Sequence, residues 1–100
     1  MKTTRRDNRL VVAPQTDIVS SMAASFRKEL LDLIGEGGIE LEIDLTGIRM
    51  IDSVGLGVFI ALYNTLEKQG GRLLVSHAAE NLYGLFKTMG LHRRFSVTIA

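Results

Sequence analysis

The sequence predicts an α/β fold, a mostly parallel central β-sheet of four or five strands with α-helices packed on it, and three observations lead there. Apolar residues recur at helical spacing in three separate stretches. Short apolar or alternating runs of strand length lie between and around them. The two kinds of segment alternate along the chain, and strand, helix, strand alternation implies right-handed crossovers and parallel neighbours. The 100 residues form one domain, residues 1–100, with no repeat, low-complexity tract or linker-like shift in composition. A chain of that length buries roughly two thirds of its unfolded surface.

The elements follow in order. Arg9 to Ala13 is a short apolar run stopped by Pro14 and preceded by the turn pair Asp7-Asn8, which suggests a hairpin from the N-terminal residues into this strand. From Ser20 onward, Ala23, Phe26, Leu30, Leu33 and Ile34 form the apolar stripe of an amphipathic helix, with Asp17, Ser20 or Ser21 as caps and the glycine-rich residues 35–38 as its end. Residues 39–45 then alternate Ile39, Leu41, Ile43 and Leu45 with Glu40, Glu42 and Asp44, the period of a strand with one buried face. After a turn at Thr46 and Gly47, Ile48, Met50 and Ile51 are expected to carry the chain inward to residues 52–57. The second helix holds Val58, Phe59, Leu62, Tyr63 and Leu66 on one side and closes at Lys68, Gly70 and Gly71. Residues 72–76 read as a buried strand, a third helix presents Leu82, Leu85, Phe86 and Met89 before Gly90, and residues 95–99 supply a last strand.

Composition narrows the function. Lys and Arg at 12 against Asp and Glu at 11 leave a net charge of +1, so no broad basic field attracts nucleic acid or a membrane surface. The absence of cysteine excludes disulfides, thiolate catalysis and cysteine-ligated zinc, and suits a reducing compartment. The basic N-terminal residues are followed by no signal-like apolar stretch, and no run is long enough to cross a bilayer. A cytoplasmic protein, without membrane insertion and without a nucleic-acid partner, is the expectation.

In open α/β sheets the functional end lies beyond the carboxyl ends of the strands, where loops meet helix N-termini. Ser53 falls there, and its hydroxyl has an ordinary explanation as a helix cap worth about 1 kcal/mol. Gly55 and Gly57 in the first helical turn each cost about 1 kcal/mol relative to alanine, so close approach by another backbone is a reason for removing both side chains. Val54 and Leu56 would offer apolar contact beside an accessible hydroxyl. A phosphate on Ser53 would add about −1.5 to −2 charges, tolerable at a helix N-terminus but disruptive in a docked interface beside Asp52.

The run Ile51-Asp52-Ser53-Val54-Gly55-Leu56-Gly57-Val58-Phe59 resembles the signature loop and helix start of the anti-sigma factor antagonists, the STAS domain family. Gly70-Gly71-Arg72-Leu73 and Leu85-Phe86-Lys87-Thr88-Met89-Gly90-Leu91 are also similar to family patterns, so the resemblance covers about residues 9–97. It implies a STAS-type fold and a bacterial partner-switching regulator that is not an enzyme. The unphosphorylated form would bind an anti-sigma factor that is also a serine-protein kinase using ATP, and so release its client. Phosphorylation of Ser53 would end binding, and a metal-dependent serine phosphatase would restore it. The partner-binding set expected is Asp17, Asp52, Ser53, Val54, Gly55, Leu56 and Gly57, and a monomer when free is the plainest reading for a domain whose exposed patch exchanges partners. No cofactor is expected, because nucleotide and magnesium belong to the kinase. Val54 stands where the family usually has Ser or Thr, and Pro14-Gln15-Thr16-Asp17 keeps only the Asp of the family's Gly-Glu-apolar-Asp turn.

The alternative is a constitutive STAS subunit of a larger assembly such as a lipid-transport ATPase complex, in which the serine is only a cap. His77 and His92 are too few and too far apart to argue for metal. Asp52, Ser53 and a histidine lack the G-x-S-x-G elbow of an acyl-transfer triad, and Gly55 and Gly57 do not extend to a dinucleotide fingerprint because Ile60 holds the sixth position. Arg93 and Arg94 beside His92 read as solvated surface.

Overall fold

The computed structural model describes residues Met1–Ala100. The chain runs β1 (Lys2–Arg6), β2 (Arg9–Ala13), α1 (Ser20–Ile34), β3 (Glu40–Asp44), α2 (Ser53–Lys68), β4 (Arg72–Ala78), α3 (Glu80–Thr88), a short 3₁₀ turn (Leu91–Arg93) and β5 (Ser96–Ile99). The strands form one sheet in the order β1-β2-β3-β4-β5. The predicted hairpin is present: β1 pairs antiparallel with β2 through the turn at Asp7, whose φ of +52° is a left-handed value that Asp tolerates. The remaining pairs are parallel.

Because β2 to β5 lie side by side in sequence order, right-handed crossovers place all the connecting helices on one face of the sheet. The burial pattern agrees. Leu10 and Val12, Leu41 and Ile43, and Leu73 and Val75 point into a single core with Phe26, Leu30, Phe59, Leu62, Leu82 and Phe86 from the helices. Phe86 packs edge-on against Phe59 at 5.2 Å and against Phe95 at 6.0 Å between ring centroids. The intervening residues Glu40, Glu42, Arg9, Arg72 and Ser76 line the other, uncovered face, where Arg9 meets Glu42 at 2.9 Å and the Ser76 hydroxyl donates to Glu42 at 2.7 Å. A strand with one covered face is what the alternation of residues 39–45 predicted.

The ends of the helices are fixed by neighbours as well as by glycine. The Arg5 guanidinium donates to the Leu33 carbonyl at 3.0 Å, where a cation complements the C-terminus of α1. Gly71 allows two loops to cross in contact, since a Cβ there would sit 2.5 Å from the Ile39 carbonyl oxygen. Met89, expected on the apolar face of α3, is instead 54% exposed, because α3 ends at Thr88 and the chain turns outward before Gly90.

Candidate functional site

The loop from β2 to α1 and the loop from β3 to α2 meet beyond the carboxyl ends of their strands. An isolated parallel bridge joins Ile18 to Ile51, with Ile18 N–H donating to the Met50 carbonyl at 3.0 Å and Asp52 N–H donating to the Ile18 carbonyl at 3.2 Å. Two carboxylates reinforce the junction. Asp17 Oδ1 accepts from the amides of Arg49 at 2.8 Å and Met50 at 3.1 Å. Asp52 is the N-cap of α2, with Oδ1 accepting from the Gly55 amide at 2.8 Å, while its Oδ2 accepts from the Ser20 amide at 2.8 Å. One side chain therefore caps the first turns of both α1 and α2. The Gly55 amide, and next the Ser20 amide, hold the Asp52 carboxyl below its ordinary pKa of 3.8, since these bonds favour the charged form.

This arrangement revises the reading of Ser53. Asp52 does the capping, and Ser53 is the first helical residue, exposed, with its hydroxyl left out of the cap. The caps expected for α1 at Asp17, Ser20 or Ser21 are likewise replaced, since Val19 occupies the N-cap without a side-chain bond and the distant Asp52 satisfies the Ser20 amide.

The seven residues of the expected partner set divide between surface and interior. Ser53, Val54 and Gly57 are exposed, and Asp17 and Asp52 are half-buried with both carboxylates engaged on backbone amides. Gly55 and Leu56 are buried, Leu56 at 7% exposure, so Leu56 offers no apolar contact at the surface. It lies one turn before Phe59 on the core side of α2 and packs there. The expected close approach holds at Gly55, where a Cβ would meet the Ile18 carbonyl oxygen at 2.1 Å, and fails at Gly57, which has nothing within 4 Å. Gly57 instead opens a shallow groove between the helices, beside Ala23, Ala24, Val54 and Ala61. Met50, expected to lead inward, is 57% exposed, and Val54, next to Ser53, is 51% exposed. The bridge takes Ile18 and Ile51 inward, which turns Met50 out.

The histidines stay apart from this junction. His77 Nδ1 lies 3.1 Å from Asp44 Oδ1 on the uncovered side of the sheet. For Asp44, burial raises the pKa, but bonds from Thr46 and the proximity of His77 outweigh it and leave the carboxyl below 3.8.

The STAS domain model matches residues 1–100. The chain belongs to the STAS domain family. An anti-sigma-B factor antagonist of Bacillus subtilis is 35% identical to this STAS domain over 91 residues, 91% of this chain and 81% of that protein. A crystal structure of a Thermotoga maritima protein superposes with a TM-score of 0.90 at 18% identity, covering 99% of this chain and 86% of that one. The anti-sigma factor antagonist SpoIIAA in its unphosphorylated form superposes with a TM-score of 0.72 at 15% identity, covering 86% and 80%. STAS membership and the sheet topology agree with the fold predicted from the sequence. No helix is long and apolar enough to cross a membrane.

Proposed function

We propose that this STAS domain is an anti-sigma factor antagonist, a regulatory binding protein and not an enzyme, whose association is controlled by phosphorylation of Ser53. The observation that carries the reading is the division of work at the start of α2: Asp52 caps the helix, so the exposed Ser53 hydroxyl is free for modification. The 35% identity to an anti-sigma-B factor antagonist supports the choice of an anti-sigma factor as the partner class.

In the unphosphorylated state the surface around Ser53, with Val54, Met50 and the Gly57 groove, would meet an anti-sigma factor that is itself a serine-protein kinase using ATP. Docking covers the apolar side chains and places the hydroxyl against the kinase. Transfer of a phosphoryl group adds about −1.5 to −2 charges at that spot. The Gly55 and Ser20 amides that would stabilise an anion are already taken by Asp52. The added charge therefore faces the neighbouring carboxylate and must be desolvated in the interface, so the complex dissociates while the fold persists. Asp17 and Asp52 act by fixing the two loops, and Gly55 and Leu56 by packing the helix start beneath the surface. A metal-dependent serine phosphatase would reset the switch. The free domain is read as a cytoplasmic monomer that uses no cofactor of its own.

The test is phosphorylation and binding with Ser53→Ala and Ser53→Asp. Ser53→Ala should bind the anti-sigma factor and accept no phosphate, and Ser53→Asp should bind more weakly. Stoichiometric phosphorylation of Ser53→Ala by the cognate kinase, or undiminished binding of Ser53→Asp, would refute the assignment. A complex with a transporter ATPase that ignores both substitutions would favour the constitutive subunit.

A further inference from the structure

The outer face of α2 lacks the charge that a solvated helix carries. From Ser53 to Leu66 the helix holds no charged residue, and the first are Glu67 and Lys68. α1 shows the ordinary pattern, with Arg27, Lys28, Glu29 and Asp32 on its exposed side. The core accounts for only part of α2. Leu56, Phe59, Leu62 and Leu66 pack inward, while Ser53, Gly57, Ile60 and Asn64 recur at helical spacing as one exposed stripe. A helix without charge on any side is normally covered on every side.

The stripe continues past the helix. Ile60 and Asn64 border a shallow groove whose other side includes Met89 and Arg94. Ile60 is 39% exposed and Met89 54%, so two large apolar side chains face solvent together there. On the opposite flank, Gly57 and Ala61 border the groove against α1, where Arg27 stands. Neither Arg27 nor Arg94 has an ion-pair partner. Glycine at position 57 costs about 1 kcal/mol in a helix, and no contact inside the domain accounts for it.

Size decides how far a docked partner must reach. A specific protein complex takes about 20 to 30 residues from each side, and the first turn of α2 alone falls well short of that. Residues 53–64 extend the footprint by about 17 Å along the helix, at about 1.5 Å per residue. A centre poor in charge with arginine at its edges is the composition of an interface. We propose that the uncharged face of α2, from Ser53 to Asn64 and across to Met89, is the docking surface for the anti-sigma factor, which presents to it an apolar ridge edged by carboxylates that pair with Arg27 and Arg94. The inference rests on the anti-sigma factor as partner and extends the contact to residues with no part in phosphorylation.

The test is isothermal titration of the cognate anti-sigma factor into the 100-residue chain and its variants. Ile60→Lys and Met89→Lys each place an ammonium in the apolar centre and should weaken binding by about tenfold or more. Met89 lies beyond the end of α3, so its replacement keeps the test open if Ile60→Lys fails to fold. Arg27→Glu and Arg94→Glu should weaken binding and flatten its dependence on salt, and unchanged binding by both overturns the charge pairing. Ser53→Asp separates this inference from the switch. If it binds weakly while the Ile60 and Met89 variants match the parent, the stripe is no interface and the Ser53 reading stands. If those variants bind weakly and Ser53→Asp does not, the docking surface holds and the switch falls. A dimer of the chain alone, seen by sedimentation and dissociated by Met89→Lys, would assign the stripe to a second copy and overturn the inference.

Discussion

Replacing Gly55 with alanine tests the junction directly, because the added methyl group has nowhere to go. Its carbon would stand 2.1 Å from the Ile18 carbonyl oxygen, 3.0 Å from the carbonyl carbon and 3.1 Å from Ile18 Cγ2. The obstacle is backbone, so a rotamer change cannot relieve it. Either α2 lifts away or Ile18 retreats, and the latter breaks the 3.2 Å bond from the Asp52 amide. Overpacking of this kind costs about 3 kcal/mol at the upper end of the usual range. The lost hydrogen bond adds about 1 kcal/mol, and the better helix propensity of alanine returns about 1 kcal/mol. Gly55→Ala should therefore destabilise by about 3 kcal/mol, lowering Tm by roughly 15 °C for a domain of this size. Gly57→Ala, two residues on, meets nothing within 4 Å and should gain up to about 1 kcal/mol from propensity alone. Urea unfolding followed by far-ultraviolet circular dichroism suits a chain without tryptophan. The reasoning fails if Gly55→Ala unfolds within about 1 kcal/mol of the parent, or if the two variants are indistinguishable.

Three further outcomes follow from the same geometry. Ser53→Ala should shift unfolding free energy by less than about 0.5 kcal/mol, since the hydroxyl caps nothing; a loss of about 1 kcal/mol would restore it to the role of a cap. Asp52 has a folded pKa below 3.8, so its stabilising bonds are complete above the unfolded value and are lost as pH falls through the folded one. Asp52→Asn should consequently be less stable at neutral pH and show a shallower decline below about pH 4, where Asp44 still contributes; an unchanged acid slope in chemical unfolding at several pH values would contradict this. Gly71→Ala should destabilise by about 2 to 3 kcal/mol by driving a methyl group into the Ile39 carbonyl, and thermal melting within 2 °C of the parent would count against that contact.

Much of the fold is legible in the sequence because one covered face imposes a clear period. The alternation of residues 39–45 and the spacing of Phe26, Leu30 and Ile34 mark a strand and a helix directly. The same logic extends to Leu56: the stripe of Phe59, Leu62 and Leu66 continues back one turn to it, and that periodicity outweighs its place between two glycines. Other features leave no periodic trace. Asp52 reaches the Ser20 amide across 32 residues, and Asp17 reaches Arg49 across the same interval. A carboxylate that bonds to distant amides looks in sequence like any loop aspartate. The outward turn of Met50 and the inward turn of Ile51 depend on the Ile18 bridge, which exists only once the loops meet.

The double cap made by Asp52 separates two kinds of constraint at adjacent positions. Residue 52 is bound by folding, because two helix starts depend on one carboxylate. Residue 53 is bound only by whatever acts on it from outside, and the domain tolerates its loss. Under the proposed Ser53 switch, a single substitution at that site would convert a reversible regulator into one fixed in its binding state, or the reverse, with no compensating change in the core.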